Sequence, residues 1–181
     1  MSHTIALPDN IELNWQGSAL EIVVVWKGKY FEFLAATAVM LDGAFFYEVL
    51  GYSDSVNSVG VVVSLGMGIP ATYWAIAGWL NRTYLKVRPG TLSVRHAPIP
   101  WPGSKEFSRL DIKQLYAYER IGPTKYDRGM TTYEVHVVTR RRGHQCLISG
   151  LETREQAMYI EQEIENHLAI EDETVRGELS D

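Results

Sequence analysis

Val59-Gly-Val-Val-Val-Ser-Leu-Gly-Met-Gly-Ile-Pro-Ala-Thr-Tyr-Trp-Ala-Ile-Ala-Gly-Trp-Leu80 runs for 22 residues without a charge. As a helix it would be about 33 Å long, enough to cross a hydrocarbon layer of roughly 30 Å. A core helix of a soluble protein shows a polar stripe along one side, and this stretch has none. Pro70 marks a kink. Tyr73, Trp74 and Trp79 fall in its second half, with Trp79 and the upstream Tyr52 suited to the membrane interface. The expectation is a transmembrane helix.

Working outward, residues 30–50 form a second apolar stretch, interrupted by Glu32, Asp42 and Glu48. The two stretches, about 30–50 and 59–80, predict a transmembrane helical hairpin. Lys27 and Lys29 precede it, and Arg82, Lys86 and Arg88 follow it, while the connector Gly51–Ser58 has no Lys or Arg. The positive-inside rule then puts both termini in the cytoplasm. Met1–Asn14 lacks the basic and apolar regions of a cleavable signal peptide, so a helix of the hairpin is expected to serve as the signal.

The rest of the chain reads as strands and turns. Ile11–Leu13 and Ala19–Trp26 flank the turn Gln16-Gly-Ser18 and predict an N-terminal hairpin within residues 1–29 that joins the later soluble domain. Thr83–Arg88 and Leu92–His96 flank Pro89-Gly90, a second hairpin. Pro98-Ile-Pro-Trp-Pro-Gly103 is too rich in proline for a central strand. Lys105–Ser108, Ile112–Glu119, Thr132–Thr139 and Gln145–Ser149 are further strands, with Gly122–Met130 a polar loop and Arg140–Gly143 a basic turn. Thr153 and Gln156 have capping-box spacing before a helix at about Arg154–Ala169. Ala157, Ile160, Ile164 and Leu168 form its apolar stripe, and Glu161, Glu163 and Glu165 fall largely off it. Residues 81–170 are thus a soluble domain, and 171–181 an acidic, flexible tail.

Charge is unevenly spread. Residues 81–150 carry 13 basic and 5 acidic side chains, and residues 151–181 carry 2 basic and 10 acidic, within a chain of net charge −5. Solvated surface is the ordinary meaning of such runs. The acidic total and the lack of a recognised binding module speak against nucleic acid.

Asn81-Arg-Thr83 directly after a span, Val94-Arg-His-Ala-Pro-Ile-Pro-Trp-Pro-Gly103, Asp111-Ile-Lys-Gln-Leu-Tyr116 and Gly150-Leu-Glu152 resemble a group of uncharacterised bacterial membrane proteins. Those have two predicted spans and a C-terminal domain like the pleckstrin-homology (PH) fold, and the resemblance covers about residues 20–178. It implies an α+β membrane protein of the bacterial inner membrane. An antiparallel PH-like sheet or open barrel would be closed by the C-terminal amphipathic helix. It implies no activity, because fold alone does not carry function.

Among residues able to carry chemistry, Asp42 stands out, since an acid near the centre of a spanning helix costs about 2.5–3.5 kcal/mol. It would serve a proton or cation relay, pair with an Arg or Lys of another subunit, or stand as a protonated carboxyl hydrogen-bonded to Ser64 or Thr72 of the second helix. Ser64 and Gly68 have the spacing of close helix packing. Asp42, Glu48, Ser64, Gly68, Trp74 and Trp79 are therefore the expected intramembrane contact set. Arg120, Lys125, Arg128, Arg140, Arg141 and Arg142, on expected loops, would meet anionic headgroups or an acidic partner. His96, His136, His144 and Cys146 are the soft-metal candidates. The expected register sets Thr139 opposite Cys146 and His136 several residues away, and no strict ligand motif is present. The expectation is no metal and no cofactor. The single cysteine excludes an intramolecular disulfide. No nucleophile elbow, phosphate loop or dinucleotide fingerprint occurs, so the expectation is no enzyme. A non-catalytic interaction or scaffold protein remains, an accessory subunit contacting lipids and other membrane subunits or its own copies. Small ion-coupled transport through Asp42 is the alternative.

Overall fold

The computed structural model describes residues 6–26, 29–50, 58–121, 131–170 and 179, the helix start at 29–31 by its backbone alone. The chain divides into two compact units. One is sheet-rich, made of residues up to Val24, Thr83–His96 and the chain from Pro102 on. The other, Val25–Arg82 with Ala97–Trp101, is helical. The class is α+β, with eight strands and three helices among the described residues.

In the sheet-rich unit, β1 (Ile11–Gln16), β2 (Ala19–Val25), β3 (Arg82–Arg88), β4 (Thr91–Ala97) and β5 (Lys105–Ser108) form one sheet in that order. β1 and β2 are an antiparallel hairpin paired from Ile11↔Val24 to Gln16↔Ala19. Gly17 takes φ +63° at its tip, a conformation that costs glycine nothing. Thr83, Leu85 and Val87 are buried while Tyr84 and Lys86 are half-buried, the two-residue period of a strand with one covered face. β2 and β3 are neighbours although the whole helical excursion separates them in the chain.

β6 (Ile112–Ile121), β7 (Thr131–Thr139) and β8 (Gly143–Leu151) form a second, antiparallel sheet. One hydrophobic core runs through both sheets and α3 (Arg154–Leu168), including Leu20, Ile22, Leu85, Leu92, Leu115 and Val135. Lys105 Nζ of β5 donates to the Cys146 carbonyl of β8 at 2.7 Å, tying an edge of one sheet to an edge of the other.

α3 begins with the expected capping box of Thr153 and Gln156. Ala157, Ile160, Ile164 and Leu168 are all buried, each large side chain contributing about 1.5–3 kcal/mol. The glutamates beside that stripe are not all surface groups. Glu161 and Glu165 are buried. Glu161 accepts from the Ala117 N–H at 2.9 Å and Glu165 from the Leu115 N–H at 3.4 Å. Both donors lie on the side of β6 that faces away from β7, so the helix satisfies an edge that would otherwise invite a foreign strand. The Leu179 N–H reaches the Ala117 carbonyl at 3.1 Å and its side chain packs on the core. Of the acidic, flexible tail expected over 171–181, only Leu179 is described; residues 171–178, 180 and 181 lie outside the described residues, as do the expected loop Gly122–Met130 and most of the connector 51–58.

In the helical unit, α1 (Lys29–Val49) and α2 (Ser58–Leu80) pack against each other. Ser64, Gly68, Ala71, Ala75 and Gly78 are buried at heptad-like spacing on α2. Among the described residues α2 is the one helix long and apolar enough to cross a membrane. α1 does not qualify by itself, because Lys29, Glu32, Asp42 and Glu48 punctuate it. Beyond α2, Asn81 is buried and pairs twice with Ile99, donating to its carbonyl at 2.9 Å and accepting from its N–H at 2.7 Å. Tyr73 donates to the Pro100 carbonyl, and Trp101 stacks on Tyr73 and meets Trp26 edge-on at 5.3 Å. The proline-rich link is thereby folded onto the end of the helix pair, around a cis Ala97–Pro98 bond.

Replacing Glu161 by Leu should lower the unfolding free energy by about 1–3 kcal/mol, the cost of a stranded buried N–H. Glu161→Gln, which keeps a carbonyl acceptor, should lose less than half of that. Denaturant unfolding followed by circular dichroism checks this, and equal losses would show that Glu161 does not serve the β6 edge.

Candidate functional site

The helical unit carries one polar contact between its helices that the sequence anticipated. Thr72 Oγ1 of α2 donates to Asp42 Oδ2 of α1 at 2.7 Å. Gly68, one turn earlier, faces the same carboxylate: a Cβ there would lie 2.6 Å from Asp42 Oδ1. The absent side chain makes room for the acid. Ser64 is buried on the same stripe, and Ala38 of α1, one turn before Asp42, is buried too. Asp42, Ser64 and Gly68 are thus gathered in the helix pair. Trp74 and Trp79 turn outward instead, 46 % and 65 % exposed, and Glu48 is half-buried near the end of α1.

The basic set does not form one patch. Arg120 lies within β6, not on a loop as expected, and its neighbour across the ladder is Thr132 at the start of β7. Arg140, Arg141 and Arg142 are exposed in the turn after β7. Arg141 reaches Asp111 at 3.2 Å. Lys125 and Arg128 lie outside the described residues.

A cluster that the sequence reading dispersed is assembled on one face of the β6–β7–β8 sheet. The turn Arg140–Arg142 is held by Thr139 Oγ1, which accepts from the Arg142 N–H and donates to the Gly143 carbonyl, both at 3.1 Å. Gly143, at φ +68°, already belongs to β8 and pairs with Thr139. Counting back from that pair sets His136 directly opposite Cys146. The expectation of Thr139 opposite Cys146 was therefore wrong: the turn has three residues and Gly143 opens the strand. On the other side His136 faces Tyr116 of β6. A bulge between Val135 and His136 interrupts the ladder next to these residues, a device that re-aims side chains.

Glu134 lies two positions before His136 and so on its face. Its side chain is buried, yet it is fully engaged: Oε1 bonds Arg120 Nη1 at 3.0 Å and Oε2 bonds His136 Nε2 at 2.8 Å. A carboxylate oxygen of Glu134, a ring nitrogen of His136 and Sγ of Cys146 all lie within 4.8 Å of one another. Tyr116 and Tyr118 flank the His136 ring at 5.3 and 5.7 Å, and the Tyr116 hydroxyl pairs with His144 Nδ1 at 3.0 Å. His96 is elsewhere, on β4, paired with Thr83 at 3.0 Å.

Burial alone would raise the Glu134 carboxyl, but the hydrogen bonds and charges of His136 and Arg120 outweigh it and hold the group below its ordinary range. Cys146 shifts upward, because burial and the Glu134 charge exceed the opposing effects of Lys105, Ser149 and Arg120. Burial, with Tyr118, Cys146 and Glu134 nearby, raises Tyr116 as well. At neutral pH the face therefore holds an ionised carboxylate beside a neutral thiol and a neutral phenol. A raised thiol pKa is the reverse of what nucleophilic cysteines display. The signal in the sequence for this cluster was His136 on one strand with His144 and Cys146 on the next; Glu134 and the flanking tyrosines gave none.

Comparison with protein-family models and with curated proteins finds no match for the chain.

The Asp42–Thr72 bond should appear as a coupling of about 0.5–1.5 kcal/mol in a double-mutant cycle of Asp42→Leu and Thr72→Val. Thermal unfolding in mild detergent reads it, and additive losses would remove the bond from the account of the helix pair.

Proposed function

We infer that the chain is a membrane-anchored, non-catalytic interaction module of the bacterial inner membrane, with a PH-like domain on the cytoplasmic side. The observation that carries this reading is the surface of α2. Only 22 % of its most apolar stretch is buried, and Val59, Val62, Met67 and Ile69 are all more than half exposed. Apolar surface on this scale is a site for lipid or protein, not for water.

The sheet order supports a crossing by α1 as well. β2 precedes the helices in the chain and β3 follows them, yet the two strands are neighbours in one sheet. A domain built from both sides of a membrane insertion needs an even number of crossings. If α2 crosses, α1 brings the chain through in the other direction. Asp42 of α1 has its donor on α2, which lowers the cost of carrying an acid into the layer. Lys27 and Lys29 before α1, and Arg82, Lys86 and Arg88 after α2, favour the cytoplasm for the sheet-rich unit.

Two sheets closed by a C-terminal helix support the PH-like reading, and that fold is associated with docking of peptides, lipids and subunits. The partner we infer is another membrane subunit or a further copy of the chain, meeting the exposed side chains of Trp74 and Trp79. Ion-coupled transport has less support, since the Asp42 carboxylate turns to Thr72.

Ile69→Arg is the discriminating experiment. In a bilayer an arginine at mid-helix costs about 2.5–3.5 kcal/mol, so the variant should leave the carbonate-washed membrane fraction or be degraded, while the parent chain stays in the pellet. An exposed position on a water-soluble protein changes stability by only about ±0.5 kcal/mol. A parent chain released by carbonate, with the variant accumulating normally, overturns the anchored reading.

A further inference from the structure

We propose that Glu134, His136 and Cys146 form a binding site for a divalent transition-metal ion of the zinc type. The three side chains come from two neighbouring strands. His136 and Cys146 are directly opposed, and Glu134 is on the His136 face. Their Cα positions are therefore fixed by the ladder and not by a loop. All three ligand atoms lie within 4.8 Å of one another. In a tetrahedral zinc site, metal–ligand bonds of about 2.0–2.3 Å place ligand atoms roughly 3.3–3.7 Å apart. The Glu134–His136 contact of 2.8 Å must open slightly and the thiol must close in. Side-chain rotation suffices for both.

The donor set selects the ion. One thiolate, one imidazole and one carboxylate suit zinc or cobalt, whereas magnesium and calcium require oxygen ligands. Binding replaces the Glu134–His136 hydrogen bond and releases the Cys146 thiol proton to solvent. The charges of carboxylate and thiolate then balance those of the dication. Arg120 remains on the other carboxylate oxygen of Glu134, the outer support that metal-ligating carboxylates ordinarily have. Tyr116 packs on His136 and bonds His144, holding the ring in place. His136 and Cys146 are only half-buried, which leaves an entry path and an open fourth position for water.

The test uses the untagged full chain in mild detergent, stripped with a chelator and titrated with Co²⁺ alone. One equivalent should bind, with the visible bands of four-coordinate cobalt and a thiolate-to-cobalt charge-transfer band in the near ultraviolet. Zn²⁺ should displace it and raise the melting temperature. Cys146→Ser should abolish the charge-transfer band, and Arg120→Ala should weaken binding about 10–100-fold. The parent spectrum needs no variant to fold. Absence of a stoichiometric thiolate–cobalt signal in the parent chain overturns the proposal, and so does an unchanged spectrum in a folded Cys146→Ser protein.

Discussion

The adjacency of β2 and β3 governs this molecule. Backbone hydrogen bonds between strands are obligatory wherever a sheet interior excludes water. The chain must therefore complete its helical excursion and return to the strand beside the one it left. The excursion consists of α1 and α2, and its sequence is freed from the sheet's alternation. The sheet-rich unit can then be read as a continuous protein with an apolar insertion.

The same logic recurs for single side chains. Carboxylates in or beside apolar surroundings each meet a donor from a different element, as Glu165 meets the Leu115 N–H. Asp42 meets the Thr72 hydroxyl, Glu161 the Ala117 backbone N–H, and Glu134 the Arg120 guanidinium and His136 ring. Removing a partner from such a group costs more than the bond itself contributes, because a buried polar atom is left without water. The donor is distant in sequence for Asp42, for Glu161 and for the Arg120 bond of Glu134, by 30, 44 and 14 positions, while His136 is two positions from Glu134.

That distance sets what the sequence can show. Alternation located β3, β4, β5 and β7 to within a residue or so, and Thr153 with Gln156 marked the start of α3, because those signals are local. Glu161 and Glu165 read as surface positions, since hydrophobic periodicity is blind to an acid buried for its hydrogen bond. The Glu134–His136–Cys146 cluster was hidden by a register error in the β7–β8 hairpin. A strand face is decided by turn length, and misplacing Gly143 moves every cross-strand partner. Asp42 was legible as an oddity within an apolar run, and Thr72 was among its anticipated donors, because two packed helices with a short connector leave few alternatives.

The fold divides the basic residues. As a sequence they look like one positive region, but β7 separates them: Arg120 stands beside its first residues and Arg140–Arg142 follow its last. Nine residues of strand at about 3.3 Å each put the groups well beyond a Debye length of about 8 Å. They therefore act as two independent electrostatic sites. Arg120 is committed to Glu134 and belongs to the sheet face. The backbone of the arginine turn is held by the Asp111 carbonyl, which accepts from the Arg140 N–H at 2.8 Å, and by Thr139 Oγ1, whereas the Arg141 side chain meets Asp111 in an exposed pair worth little in water, so that guanidinium can exchange Asp111 for another anion at small cost. Of the two, the turn is the more exposed, with the Arg141 side chain 82 % exposed against 59 % for Arg120.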